Sequence, residues 1–294
     1  MPTASPAITP GATRVRAKRV LAKRVLPGFG LTMGCTMLYL GIIVLLPLAA
    51  LLLKAGEVGP ARFWQIVSSP RAVAAFQITF AAAAIATVIN AAYGLLMAWI
   101  LVRYRFPGRR LLDALMDIPF ALPTAVAGLA LTALYASNGW FGSALEPAGI
   151  KVVYTIFGVA LAMAFTSVPF VVRTVQPVLE DLDPQIEQAS ATLGAYPFTI
   201  FRRVVFPVIF PAYLSGCALA FARSLGEFGA VVFIAGNIPF QTEIAALLVY
   251  IRLEEFDYPA ASAIAAVLLL SAFVILLATN VIQARLLRYK ARSA

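Results

Sequence analysis

The residues best suited to chemistry are a basic and an acidic side chain four positions apart, Arg223 and Glu227. Both lie in an apolar stretch, and this spacing puts them on one face of a helix. An arginine at membrane depth costs roughly 2.5–3.5 kcal/mol on insertion scales, so the pair indicates either a structural ion pair or a functional site. In the functional interpretation, Arg223 lines a path for a doubly charged anion. The structural interpretation is favoured, because Glu227 would offset the positive field that such a path needs.

Other catalytic groups are scarce. The 294 residues include no histidine, which removes the commonest metal ligand and the usual near-neutral acid or base. There is no Gly-x4-Gly-Lys-Ser/Thr phosphate loop, so the chain should not bind ATP by that route. Cys35 and Cys217 lie in different apolar stretches, which is typical of small buried hydrophobes rather than a metal pair. We therefore predict no catalytic residues, no metal and no cofactor in this chain.

The composition is that of a membrane protein. Hydrophobic residues make up 62% of the chain and charged residues 12%, whereas soluble domains are about a quarter charged. Apolar stretches of spanning length predict an all-α polytopic fold with six transmembrane helices. Pro119 and Pro123 predict a kink or break in the third span. The predicted spans cover about 30–53, 72–102, 115–136, 152–172, 208–235 and 258–284.

Lysine and arginine residues predict the orientation of these spans. Seventeen of the 23 lie on one side of the six-span arrangement and five on the other, so that side is predicted to be cytoplasmic. The transmembrane domain 30–284 is then preceded by a basic cytoplasmic tail, 1–29, and followed by a second one, 285–294. The basic residues flank the spans rather than form a patch, so nucleic acid is not a predicted partner.

The segment 180–207 is the longest polar break between spans, and it falls on the predicted cytoplasmic side. Asp183 and Pro184 are typical of a helix start and Gly194 of a helix end, which predicts a helix of about ten residues from Pro184 to Leu193. A second short helix is predicted to end at Pro207. One face of the first helix is apolar, with Leu182, Ile186, Ala189 and Leu193. This face could dock on a protein, or the helix could lie on lipid.

The same segment resembles the EAA loop of binding-protein-dependent ABC importer permeases. The family pattern is Glu-Ala-Ala, three residues, Gly, nine residues, Ile-x-Leu-Pro. Matches and departures together give the coupling residues that the resemblance implies: Glu187, Gln188, Ala189, Ser190, Gly194 and Pro207. Gln188 stands at the position of the family's acid, Ser190 at the second alanine, and Glu187 is an acid one residue earlier.

Two further stretches, Phe120–Tyr135 and Phe221–Asn237, are similar to the T-type subunit of sulfate/thiosulfate permeases. The resemblance implies partners for this chain: a second, W-type permease subunit, two ATPase subunits that bind the ATP, and a periplasmic sulfate/thiosulfate-binding protein. It also implies an inner-membrane location surrounded by lipid. The helix 184–193 would then be the coupling helix, which sits in a groove of the ATPase.

A sulfate path through this chain would need hydrogen-bond donors as well as Arg223. Thr124, Ser224 and Asn237 could supply neutral donors, and Pro123 could free backbone N–H groups near the path, although a plain kink explains that proline as well. Two other functions stay open. The same machinery could carry molybdate or tungstate, or the chain could act alone as an anion channel or secondary transporter, which the pair Arg223 and Glu227 would serve.

Overall fold

A computed structural model describes residues 29–293, with side chains described through residue 285. The predicted tail 1–29 therefore lies almost wholly outside the described residues, as do the side chains of the predicted tail 285–294. The described residues form helices joined by turns and connections, with no strand among them. Its helices are α1 Phe29–Leu40, α2 Leu46–Glu57, α3 Pro60–Val67, α4 Pro70–Arg103, α5 Arg109–Ala121, α6 Thr124–Tyr135, α7 Gly142–Leu145, α8 Ile156–Glu180, α9 Pro184–Thr192, α10 Pro197–Ile200, α11 Phe206–Leu225, α12 Gly229–Ala235, α13 Ala245–Glu254 and α14 Tyr258–Ser293.

Five helical segments within these residues are long and apolar enough to cross a membrane. A sixth crossing exists if α5 and α6, which meet at a bend of 112°, are counted as one broken span. The predicted count of six therefore fits when the bent pair is included. The five continuous segments are Phe29–Glu57, Pro70–Arg103, Ile156–Glu180, Pro197–Leu225 and Tyr258–Arg285.

The chain divides into two compact units, one that ends at Ala49 and one that begins at Ala50. The first unit comprises α1, a π-helical turn at Gly41–Leu45 and the start of α2. In the second unit, the core forms where α4, α8 and α11 pack together. Small residues allow this close approach, as is usual for membrane helices. A methyl group at Gly94 of α4, for example, would lie 2.7 Å from the Val171 side chain of α8.

The third span breaks where proline predicted a break. Pro119 lies inside α5, which stays helical, whereas Pro123 caps the start of α6. Leu122, between the two helices, has extended backbone angles, φ −81° and ψ 129°. This conformation is expected before a proline, because the proline ring clashes with a helical residue ahead of it.

The fifth span differs from its predicted bounds, 208–235, at both ends. Its helix begins at Pro197, because α10 continues into α11 through a π-helical turn at Phe201–Val205. The predicted separate short helix ending at Pro207 is therefore wrong: Pro207 lies in the first turn of α11, directly after the wider turn. At the other end, α11 stops at Leu225, and α12 begins only at Gly229.

Candidate functional site

The short helix α9 is defined by its two caps. The Asp183 carboxylate accepts a hydrogen bond from the Gln185 amide at 2.9 Å, and Pro184 occupies the first helical position. Gly194 has a φ of +84°, a left-handed conformation that favours glycine. Its amide donates to the carbonyl of Ala191 at 2.9 Å, and α9 ends at Thr192. The predicted capped helix is therefore confirmed, one residue shorter than predicted.

An ion pair joins α9 to the end of α4. The Arg103 guanidinium contacts the Glu187 carboxylate, and only 18% and 24% of the two side chains are exposed. Arg103 also lies over the Trp99 ring, 5.7 Å from its centroid. Glu187 was predicted as the acid of this segment, but its partner, 84 positions earlier in the chain, was not predicted. Gln188, at the family's acid position, is exposed.

Exposed apolar side chains of α9, of the turn after it and of α10 form an apolar surface. It consists of Ile186, Leu193, Tyr196 and Phe198, whose exposed fractions run from 48% to 88%. The predicted stripe also contained Leu182, which instead is 7% exposed and packs into the core. Leu182 precedes the cap residue Asp183, so it lies in the connection between α8 and α9 and not on the face of α9. A surface of this kind is suited to docking a partner.

Two of the remaining coupling residues, Ala189 and Ser190, lie on α9. Ala189 is exposed. The Ser190 hydroxyl donates a hydrogen bond to the Ile186 carbonyl of the same helix at 2.8 Å, so its proton is used within α9. Pro207 lies apart from them, in α11.

Arg223 and Glu227 form the ion pair that their spacing predicted. The Arg223 guanidinium lies 2.7 Å from Glu227 Oε2, and the Glu227 side chain is 1% exposed. The other carboxylate oxygen of Glu227 accepts a hydrogen bond from the Ala230 amide at 3.0 Å. Glu227 therefore holds the break between α11 and α12 and satisfies a free N–H at the start of α12. This geometry supports the structural interpretation of the pair.

The broken span and the broken end of the fifth span meet each other. A methyl group at Gly229 would lie 2.2 Å from the Thr124 hydroxyl, and one at Gly128 would lie 2.3 Å from the Ala230 carbonyl oxygen. The start of α6 and the start of α12 are therefore packed nearly backbone to backbone. Thr124 and Glu227 belong to this junction, and Pro123, which is exposed, begins it.

Ser224 contacts this junction through its carbonyl, which accepts a hydrogen bond from the Glu227 amide at 3.1 Å, whereas Asn237 lies away from it. Ser224 is fully buried, with its hydroxyl 3.2 Å from that of Ser167. Ser167 in turn accepts a hydrogen bond from the Asn90 amide at 2.8 Å. These three side chains join α11, α8 and α4, a use of polar groups common between membrane helices. Asn237 is exposed at the other end of α12 with a φ of +51°, so the six candidate pathway residues do not form one cluster.

Two further ionic contacts were not predicted. Arg173 of α8 contacts both Asp113 and Asp117 of α5 at 2.6 Å. Arg71, at the start of α4, donates twice to the buried Glu243, at 2.6 and 2.9 Å. Each contact joins residues at least 56 positions apart, and charge type alone gave no signal for choosing the partners. The first contact joins α8 to α5, and the second joins the start of α4 to the residue before the N-cap of α13.

Comparison with known proteins places this architecture in a family. The family described as binding-protein-dependent transport system inner membrane component matches residues 90–289. The sulfate transport system permease protein CysT of Salmonella typhimurium is 56% identical over 266 residues, which cover 90% of this chain and 96% of that protein. The Escherichia coli protein of the same name is 55% identical over the same shares. The Synechocystis protein is 48% identical over 84% of this chain and 87% of its own.

Solved structures show the same fold. A chain of the bacterial alginate ABC transporter, crystallised with a periplasmic protein that binds an alginate pentasaccharide, matches with a TM-score of 0.71 at 16% identity. The match covers 87% of this chain and 93% of that chain. A chain of the MetNI methionine ABC transporter, in an inward-facing conformation, matches with a TM-score of 0.56 at 16% identity, over 73% and 95% of the two chains. The family match and these relatives together show that the chain belongs to the inner membrane components of binding-protein-dependent transport systems, as a multi-pass permease subunit.

Proposed function

We propose that this chain is a permease subunit of an ATP-driven importer that carries sulfate or thiosulfate across the inner membrane. The observation that carries the proposal is the 56% identity with a sulfate transport permease over 90% of this chain. The chain supplies the path, and ATP is bound and hydrolysed by partner subunits. Permease relatives that work within ABC transporters imply an assembly with ATPase and substrate-binding partners.

The coupling role belongs to α9 in this proposal. Its exposed apolar surface, Ile186, Leu193, Tyr196 and Phe198, docks on an ATPase subunit on the cytoplasmic side. The ion pair between Arg103 and Glu187 then transmits movement of α9 to α4. A short helix capped at both ends moves as one body, so closure of the ATPase dimer can shift the packed core between two states.

The finer partners follow from the sulfate assignment. The second permease is a W-type subunit, which makes a heterodimer, and the soluble partner is a periplasmic sulfate/thiosulfate-binding protein. The junction of α6 and α12, with Pro123, Thr124 and Glu227, lines or closes the path in this proposal. Arg223 holds Glu227 there rather than binding the anion.

Uptake of labelled sulfate into proteoliposomes tests the proposal. The chain is reconstituted alone and with its ATPase, second permease and binding protein. We expect ATP-dependent uptake only from the full assembly, and competition by thiosulfate. Sulfate flux at full rate from the chain alone, without ATP, would show a self-sufficient channel or secondary transporter instead. Stronger competition by molybdate or tungstate than by thiosulfate would assign those oxyanions as the substrate.

A further inference from the structure

The connection between α4 and α5 contains a cavity that none of the roles above uses. Its volume is about 540 Å³, and its lining includes the guanidinium side chains of Arg105, Arg109 and Arg110. Arg103, which contacts Glu187 of α9, lies two residues before Arg105. The cavity therefore lies at the same end of the molecule as α9.

The three arginines carry charge that the described residues do not neutralise. None of them takes part in an ion pair within residues 29–285, which is also true of Arg62, Arg202 and Arg203 there, whereas Arg71, Arg103, Arg173, Arg223 and Arg252 do. Asp113, the acid that lines the cavity, already accepts Arg173 at 2.6 Å. Arg105 and Arg110 are exposed, so water and salt ions reach the cavity, and its net positive charge favours a bound anion.

The backbone adds to this field. Gly108, with a φ of +87°, turns the chain into α5, and no side chain caps the first turn of that helix. No acidic residue lies in that turn either. The Arg109 amide donates to the Phe106 carbonyl at 3.3 Å. The other N–H groups of the first turn and the positive end of the α5 dipole lie at the arginine cavity, an arrangement that favours anions.

We propose that this cavity binds a tetrahedral oxyanion group. Guanidinium groups pair in a planar, two-pronged geometry with sulfate and phosphate oxygens, and three of them suit a dianion better than a chloride ion. The group could come from free sulfate or from the phosphate of an anionic phospholipid. The first source rests on the proposed function, and the second does not. For the second source, Leu111, Leu115 and Ile118 form an exposed stripe along α5 that an acyl chain would cover.

Hydrogen exchange of the backbone amides of 104–112 tests the proposal, because it reports binding at this place and does not depend on transport. The assembled transporter is placed in phosphatidylcholine nanodiscs with sulfate, or with chloride at the same ionic strength. In a second arm, phosphatidylglycerol is added to the nanodiscs without sulfate. At about ten times the dissociation constant, we expect roughly tenfold slower exchange of these amides.

The triple variant Arg105→Gln, Arg109→Gln, Arg110→Gln should lose this protection. The variant Arg202→Gln, Arg203→Gln removes exposed arginines from another place and should keep it. If the triple variant does not assemble, single variants should each weaken apparent affinity by about tenfold. Protection by sulfate beyond chloride identifies the free anion, and protection by phosphatidylglycerol identifies the lipid. If neither slows exchange in the unaltered protein, the arginines only flank the membrane and the proposal is wrong. Such a failure leaves the uptake result untouched.

Discussion

At the scale of single residues, the contact between Arg103 and Glu187 is the one direct ionic link from α9 to the spans within residues 29–285. Both side chains are largely shielded from water, so their attraction is screened less than that of a surface pair. The orientation of the Arg103 guanidinium is also fixed, because this group lies over the Trp99 ring. Its loss should therefore affect both stability and coupling.

We predict that Arg103→Gln and Glu187→Gln each lower ATP-dependent sulfate uptake. In a double-mutant cycle on thermal unfolding of the assembled transporter, the pair should show a coupling energy of roughly 1–3 kcal/mol. The same cycle on Lys54 and Glu57, whose side chains are 69% and 64% exposed, should give about 0–1 kcal/mol. Additive effects of the Arg103 and Glu187 variants would contradict the link.

The sequence predicts local residue contacts well and distant ones poorly. Asp183 as a cap follows from its two-residue spacing to Gln185. Glu227 pairs with Arg223 over four residues although the helix already ends at Leu225, so both contacts are local in the sequence. Arg103 with Glu187, or Arg71 with Glu243, depends on how whole helices pack, and many basic and acidic residues have compatible charges. The acid of the coupling segment was predicted, and its partner was not, for this reason.

At the scale of elements, α9 depends on Gly194 for its end. A Cβ atom at this residue would meet no atom within 4 Å. A substitution here is therefore unfavourable only because of the backbone strain at a φ of +84°. Gly149 offers a matched comparison, since its φ is +78° and the space around it is equally open. If substitutions at Gly194 and Gly149 differ in their effect on uptake, the difference comes from the role of α9, because the backbone strain is nearly the same at both residues.

We predict that Gly194→Val reduces coupled sulfate uptake severalfold, because the strain shifts the end of α9 and its exposed apolar surface. The backbone cost should be roughly 1–2 kcal/mol. Gly149→Val should cost a similar amount in thermal unfolding and leave uptake per assembled transporter unchanged. Intact coupled uptake by Gly194→Val would mean that α9 does not couple.

The junction of α6 with α12 gives a second prediction for elements. Gly128→Ala places a methyl group 2.3 Å from the Ala230 carbonyl oxygen, so the two helices must separate. We expect a loss of about 1–3 kcal/mol in thermal unfolding of the assembled transporter. Gly56→Ala, in α2, where no atom lies within 4 Å, should be neutral or slightly stabilising. Equal stability of the two variants would show that α6 and α12 can move apart at little cost in free energy.

Breaks in the spans show how far elements are predictable. The sequence indicated a break near Pro119 or Pro123, and only the second one breaks the helix. The break at Pro123 places the start of α6 against the start of α12, and this long-range contact is not readable from the two prolines. The end of α11 at Leu225 was not predicted. Gly226 and Gly229, on either side of the buried Glu227, indicated a helix break, but the apolar stretch is long enough to be taken for one continuous span.

At the scale of the whole molecule, the orientation in the membrane stays a prediction from the distribution of basic residues. Two exposed side chains allow a direct test: Leu193, 88% exposed after α9, and Trp140, 83% exposed in the connection between α6 and α7. The natural cysteines, Cys35 and Cys217, are first replaced by alanine.

We predict that Leu193→Cys reacts with a membrane-impermeant maleimide only after the inner membrane is opened. Trp140→Cys should react in intact spheroplasts. The physical reason is that the basic connections, including the one that follows α4, are retained in the cytoplasm. The reverse pattern of labelling would invert the proposed topology and would remove α9 from the side where ATP is present.

The exposed apolar surface of α9 has a consequence for the life of the protein in the cell. A copy without its ATPase leaves Leu193, Tyr196 and Phe198 in water, where such a patch favours aggregation and recognition by proteases. We therefore expect unassembled copies to turn over quickly, so that the abundance of this chain follows that of its partner. Pulse-chase labelling with the partner depleted should show a shorter half-life, and Leu193→Ser, Phe198→Ser should lengthen it. The surface that transmits force in the transporter would thereby also set the subunit ratio.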